Sequence, residues 1–117
     1  MDYGKLSKDI LDLDNKIRFV GVCDESGETR FGGQREGVKN LLSPDESKKP
    51  NLQAMARWGL RNSLATKVGQ GRYAMAEYEK IKRITFPLGM DHVMLVTTEV
   101  TANHMEIINN ILKRLED

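Results

Sequence analysis

Between Tyr73 and Thr98 three strand-like runs follow one another, and the gaps between them leave no room for a crossover helix. The runs are Tyr73 to Glu79, then Ile84, Thr85, Phe86 and Leu88, then Val93 to Thr98, the clearest strand in the chain. Parallel neighbours need about a dozen or more connecting residues, so these runs can pair only as antiparallel hairpins. Leu88-Gly89-Met90-Asp91 supplies the turn between the last two. Pro87 has no backbone N–H to donate, which puts its strand near an edge or at a local irregularity.

The N-terminal half repeats the hairpin signal. Ile17, Phe19, Val20, Val22 and Cys23 form an apolar, β-branched run of the kind buried on both faces. Asp24-Glu25-Ser26-Gly27 turns the chain, and Thr29 to Gly33 returns as a short, weakly apolar strand suited to an edge. Helical periods lie between and around the strands. Leu6, Ile10, Leu13 and Ile17 recur at intervals of four, three and four, predicting a helix over 3–14. Ile107, Ile108, Ile111, Leu112 and Leu115 predict a closing helix over 103–115, capped by Asn103.

In the middle, one helical turn is expected around Val38, Leu41 and Leu42. Ser43-Pro44-Asp45-Glu46 carries the marks of a helix start, but Lys48-Lys49-Pro50 interrupts it. The main helix is therefore predicted to begin after Pro50, with Asn51 an alternative cap, and to run to Val68 with Gly69 as its stop. The resulting order, αββαβββα, describes one α+β domain: a five-stranded antiparallel sheet with helices on both faces.

A chain of 117 residues fits one such domain. No apolar run approaches the ~20 residues of a membrane span, and the N-terminus lacks a basic segment followed by an apolar one. Cys23 is the only cysteine, which excludes a disulfide scaffold. These features predict a soluble, cytoplasmic protein with no membrane partner.

Residues 51–68 carry two apolar stripes. Leu52, Ala56, Leu60, Ser63 and Leu64 cluster on one side and are expected to lie on the sheet. Ala54, Met55, Trp58 and Ala65 gather on the other, with Arg61 and Asn62 beside them. Either the terminal helices or the 33–50 loop cover Trp58, or this second stripe meets another subunit. Trp, Met and Arg favour interface centres, and a twofold axis lets one patch meet its own copy, so the leading expectation is a homodimer.

Catalytic and cofactor chemistry finds no constellation. His92 and His104 show no metal-ligand spacing with Cys23, which belongs to an apolar strand. The run GGQREG lacks both the Lys-Ser/Thr ending of a phosphate loop and the spacing of a dinucleotide fingerprint. Glu77 and Glu79 share a strand face but lie close to Lys80 and Lys82, which favours surface ion pairing. The expected protein is not an enzyme and holds no cofactor.

Charge is uneven. Residues 48–90 hold nine of the 18 basic side chains and only two of the 17 acidic ones. Lys80, Lys82 and Arg83 are the candidate contacts of this segment for a phosphate or an acidic partner. The bland expectation is that the acidic flanks fold over the segment and neutralise it. Nucleic-acid binding is a weaker reading, because no exposed aromatics interleave with the basic residues.

The order of elements, the hairpin at Asp24–Gly27, the helix 51–68 and the triple-strand run 73–99 resemble the Roadblock/LC7 domain, a profilin-like fold. The segments IRFVGVCDESGE, GGQREGV and YEKIKRITFPL also resemble a family of small proteins from ammonia-oxidising archaea, a likeness that implies no activity. The Roadblock/LC7 resemblance implies a homodimer formed through the middle helix and the strand after it, with outer surfaces that serve small Ras-like GTPases or motors. It places Met55, Trp58, Ala65 and strand 73–79, including Tyr73 and Met75, at the dimer interface. The 33–50 connection is longer than the family's usual link. The leading expectation is a non-enzymatic homodimeric adaptor. The alternatives are a PAS-like small-molecule sensor, with a cavity lined by Phe19, Trp58, Phe86 and Met94, and a nucleic-acid-binding protein.

Overall fold

The computed structural model describes residues 1–116. Its elements are α1 (Tyr3–Leu11), β1 (Ile17–Cys23), β2 (Thr29–Gln34), α2 (Pro44–Asn62), α3 (Ala65–Val68), β3 (Ala74–Glu77), β4 (Ile81–Leu88), β5 (His92–Glu99) and α4 (His104–Glu116). The strands form one sheet in the order β2-β1-β5-β4-β3, with every neighbouring pair antiparallel. The two edge strands, β2 and β3, are consecutive in sequence. The chain between them, which contains α2, therefore has to traverse a whole face of the sheet.

Strand alternation builds two cores. Val20, Val22, Ile84, Phe86, Met94 and Val96 face one way, against Leu6 and Ile10 of α1 and Ile107, Ile108 and Ile111 of α4. Cys23, Val93 and Leu95 face the other way, against Ala54 and Trp58 of α2. An ion pair of 2.8 Å between Arg114 and Asp9 ties α4 to α1. Pro87 pairs with Val93 of β5 beyond Thr85, the last β4 residue that β3 reaches, so β4 has no outer neighbour there.

Several boundaries differ from the sequence expectation. Helix α1 stops at Leu11, which leaves Leu13 outside the helix and exposed. No helical turn forms around Val38, Leu41 and Leu42. Helix α2 starts at Pro44 rather than after Pro50. Ser43 Oγ accepts from Glu46 N–H at 3.1 Å while Glu46 Oε1 accepts from Ser43 N–H at 3.0 Å, a reciprocal cap strong enough to nucleate the helix ahead of the proline. Pro50 then sits inside the helix and deprives the carbonyl of exposed Glu46 of its usual donor. The helix ends at Asn62, and α3 follows after two turn residues, closed by Gly69 at φ +90°.

Candidate functional site

Helix α2 lies on the sheet by the stripe whose sequence pattern points it away from the sheet. Trp58 is only 2% exposed and Ala54 is buried beside it. The Trp58 indole N–H donates to Thr85 Oγ1 at 3.0 Å, and the Arg61 guanidinium caps the ring at 4.8 Å. Gly71 passes so close that a Cβ there would stand 2.5 Å from the indole. The placement of Ala54 and Trp58 at an intermolecular interface is therefore corrected: this chain's own sheet covers both. The physical reason lies in size and polarity. The indole has the largest apolar area on the helix and an N–H that needs a partner, and the sheet supplies both.

The leucine stripe takes the opposite position. Leu60 is 72% exposed and Leu64 is 56% exposed, so neither lies on the sheet. Leu52 is also exposed, although its inner edge packs on Gly27 of the β1–β2 hairpin. Met55, Arg61 and Asn62 of α2 and Ala65 at the start of α3 are partly buried. Tyr73 and Met75, before and on the edge strand β3, are exposed. A groove of about 160 Å³ runs between α2 and β3, with Arg57 and Arg61 on the helix side and Met75 and Ala76 on the strand side. The edge strand β3 forms one wall of this groove.

The basic residues do not gather. Lys80 is exposed. Lys82 is only 6% exposed, and its Nζ donates to Ala102 O at 2.8 Å and contacts His104 Nδ1 at 2.9 Å. Strand alternation sends Arg83 to the opposite face, where its guanidinium donates to Asn51 Oδ1 at 3.0 Å and burial pushes its pKa down. Lys80, Lys82 and Arg83 thus form no shared contact surface, which corrects their joint assignment to a phosphate or acidic partner. The expected neutralisation by acidic flanks is also slight. Among the described residues the only ion pair joining 48–90 to an acidic flank is Arg72–Glu116, at 3.7 Å on the surface. Glu77 and Glu79 enter none of these ion pairs.

Asn51 is the residue that sequence reasoning places least well. It lies in mid-helix rather than at a cap, nearly fully buried, with its amide N–H₂ donating to Gly27 O at 3.0 Å. It occupies the stripe of Ala54 and Trp58, and that spacing is the available signal. The cavity expected of a PAS-like sensor is not lined as expected either. Phe86 and Met94 belong to the α1/α4 core, whereas Trp58 and Phe19 belong to the α2 side. Of the four, only Phe19 borders a cavity of about 490 Å³ on the α2 side of the sheet. Among the described residues no cluster of three His, Cys, Asp or Glu side chains is placed to hold a metal. No helix among the described residues is long and apolar enough to cross a membrane.

Solved structures share this architecture closely. The gliding protein MglB of Thermus thermophilus superposes with a TM-score of 0.71 at 12% identity, over 94% of this chain and 79% of that one. A Roadblock/LC7 domain from Streptomyces avermitilis superposes with a TM-score of 0.66 at 13% identity, over 99% and 96% of the two chains. The fold is that of the Roadblock/LC7 domain. A Schizosaccharomyces pombe profilin, with a TM-score of 0.61 at 16% identity over 97% and 93%, extends the likeness to the profilin-like group. No protein-family model matches the chain, and no curated protein matches it.

Proposed function

We propose that this protein is a non-enzymatic adaptor that forms a homodimer through the α2–β3 side and presents the paired surface to a protein partner. The observation that carries this reading is a pair of unsatisfied features, a free sheet edge and an exposed leucine pair. Strand β3 is a sheet edge with unpaired backbone groups, and Leu60 of α2 and Leu64 of the turn after it are exposed to water. A twofold axis through the groove would pair both features with their own copies. Met55, Arg61, Asn62, Ala65, Tyr73 and Met75 would flank that contact, with Ala54 and Trp58 beneath it. Support also comes from a likeness of fold, since one MglB structure with a TM-score of 0.71 is described as a tetrameric arrangement. The Roadblock/LC7 resemblance suggests a small Ras-like GTPase as the partner class.

Light scattering tests the dimer. The wild type should show twice the 13.3 kDa chain mass, and Leu60→Glu should return it to the single-chain value while leaving the fold intact by circular dichroism. A wild type of single-chain mass overturns the assembly. For the partner, purified GTPases loaded with GTP or GDP should be retained on immobilised protein, and retention of none removes that partner class.

A further inference from the structure

A cavity of about 490 Å³ opens on the α2 side of the sheet, beneath the connection between β2 and α2. Its origin is legible in the helix. The first two turns of α2 bring Asp45, Ser47 and Lys48 to this region and no large apolar side chain, so the sheet floor is left partly uncovered at half-buried Phe19, with buried Leu95 behind it. The roof is the 38–42 stretch. Its ends are fastened: Gln34 Nε2 donates to Val38 O, Arg18 donates to Lys39 O at 3.0 Å, and Ser43 begins the helix cap. Between these anchors Leu41 and Leu42 border the cavity and are half-exposed.

The cavity's charges are not balanced. Arg18 is committed to Glu99 at 2.8 Å, and Glu28 lies 3.4 Å from Arg30. That leaves Lys39, Lys48 and Arg83 against Asp45 on the lining. Arg83 is the innermost of these, and the hydrogen bond from its side chain goes to neutral Asn51 Oδ1. No carboxylate lies within ion-pair distance of it among the described residues. No buried side-chain nitrogen in the described residues lacks a partner, so the guanidinium nitrogens that make no hydrogen bond keep some exposed surface, and Arg83 borders both this cavity and the α2–β3 groove. A guanidinium offers five N–H donors in a fork that matches a carboxylate. Asn51 is held by the β1–β2 hairpin, so it fixes the rotation of that fork.

The geometry points to this cavity as a binding site for a small amphiphilic carboxylate, its acid group on Arg83 and its aliphatic or aromatic body on Phe19 beneath Leu41 and Leu42. Its volume is in the range of pockets that enclose small organic ligands, and its lining combines an apolar floor with the half-buried Arg83 and the exposed Lys39 and Lys48. A neutral analogue of the same shape would keep the floor contacts and lose the fork. A bare anion such as acetate would keep the fork and lose the floor. The site does not depend on the homodimeric adaptor reading, because every residue in it belongs to one chain.

Isothermal titration with 4-phenylbutyrate and octanoate, set against their primary amides and acetate, tests the assignment. The two carboxylates should bind, and both amides and acetate should bind about tenfold more weakly or not at all. Arg83→Gln should lower carboxylate affinity by about tenfold or more and leave amide binding unchanged. Should that variant unfold, Leu42→Glu, on the exposed roof, places a repelling carboxylate at the mouth and should weaken the acids more than the amides. Chemical-shift mapping on the wild type should move the Phe19, Leu95 and Arg83 signals. Equal binding of acid and amide, absence of binding by both acids, or shifts confined to other residues would each overturn the proposal.

Discussion

The Trp58 indole donates a hydrogen bond of 3.0 Å to the hydroxyl of Thr85, and this contact fixes the rotation of the long helix on the sheet. Trp58→Ala should cost about 3–5 kcal/mol, since it opens a cavity between α2 and β4. Thr85→Val keeps the volume but strands the indole N–H, at a cost of about 1–3 kcal/mol. Urea denaturation followed by circular dichroism measures both. A loss below about 1 kcal/mol for Trp58→Ala contradicts its burial within a single copy.

Gly71 and Gly32 are close-approach positions of different kinds. A Cβ at Gly71 would press on the Trp58 ring, so Gly71→Ala should destabilise by about 1–3 kcal/mol and quench or shift the lone tryptophan's fluorescence. At Gly32 the φ of +90° opposes a side chain, and an added methyl would collide with the Val20 carbonyl oxygen. Gly32→Ala should be the more damaging of the two in thermal melts, and the reverse ranking would contradict this geometry.

Acid should loosen the β1–β2 hairpin. Asp24 accepts hydrogen bonds from the Ser26 hydroxyl and from Arg30, and these hold its carboxyl well below the usual carboxylate range. With the folded pKa depressed, the contribution is complete above the ordinary value of 3.8 and fades as pH falls through the folded pKa. Asp24→Asn should therefore flatten the decline in stability below about pH 4. Parallel pH profiles for wild type and variant would contradict the Asp24 network.

Lys82 tolerates loss of its charge better than reversal. Its stem lies on the α1/α4 side of the sheet, and its ammonium meets only Ala102 O and His104 Nδ1. Lys82→Met retains the stem's packing and should stay within about 1 kcal/mol of wild type. Lys82→Glu would set a carboxylate against a backbone carbonyl and should lower the urea midpoint sharply. A Lys82→Glu protein as stable as wild type would show that this side chain reaches water.

The sequence alone determined the element order, the antiparallel pairing, the edge position of β2 and the burial of Cys23, because short turns and the period of two are local properties. It also showed that α2 has two apolar stripes. Which stripe faces the sheet was a tertiary decision. Helical spacing fixes the angle between Trp58 and Leu60 but not the rotation of the helix as a whole, and the partner of the indole N–H lies 27 residues away. The separation of Lys82 from Arg83 is legible as alternation, but only the packing of α4 against one face and α2 against the other decides that the first is buried and the second borders a cavity. Pro50 reads as a break because its local cost is real. The reciprocal Ser43–Glu46 cap, together with burial of Asn51, Ala54 and Trp58 on the sheet, outweighs it.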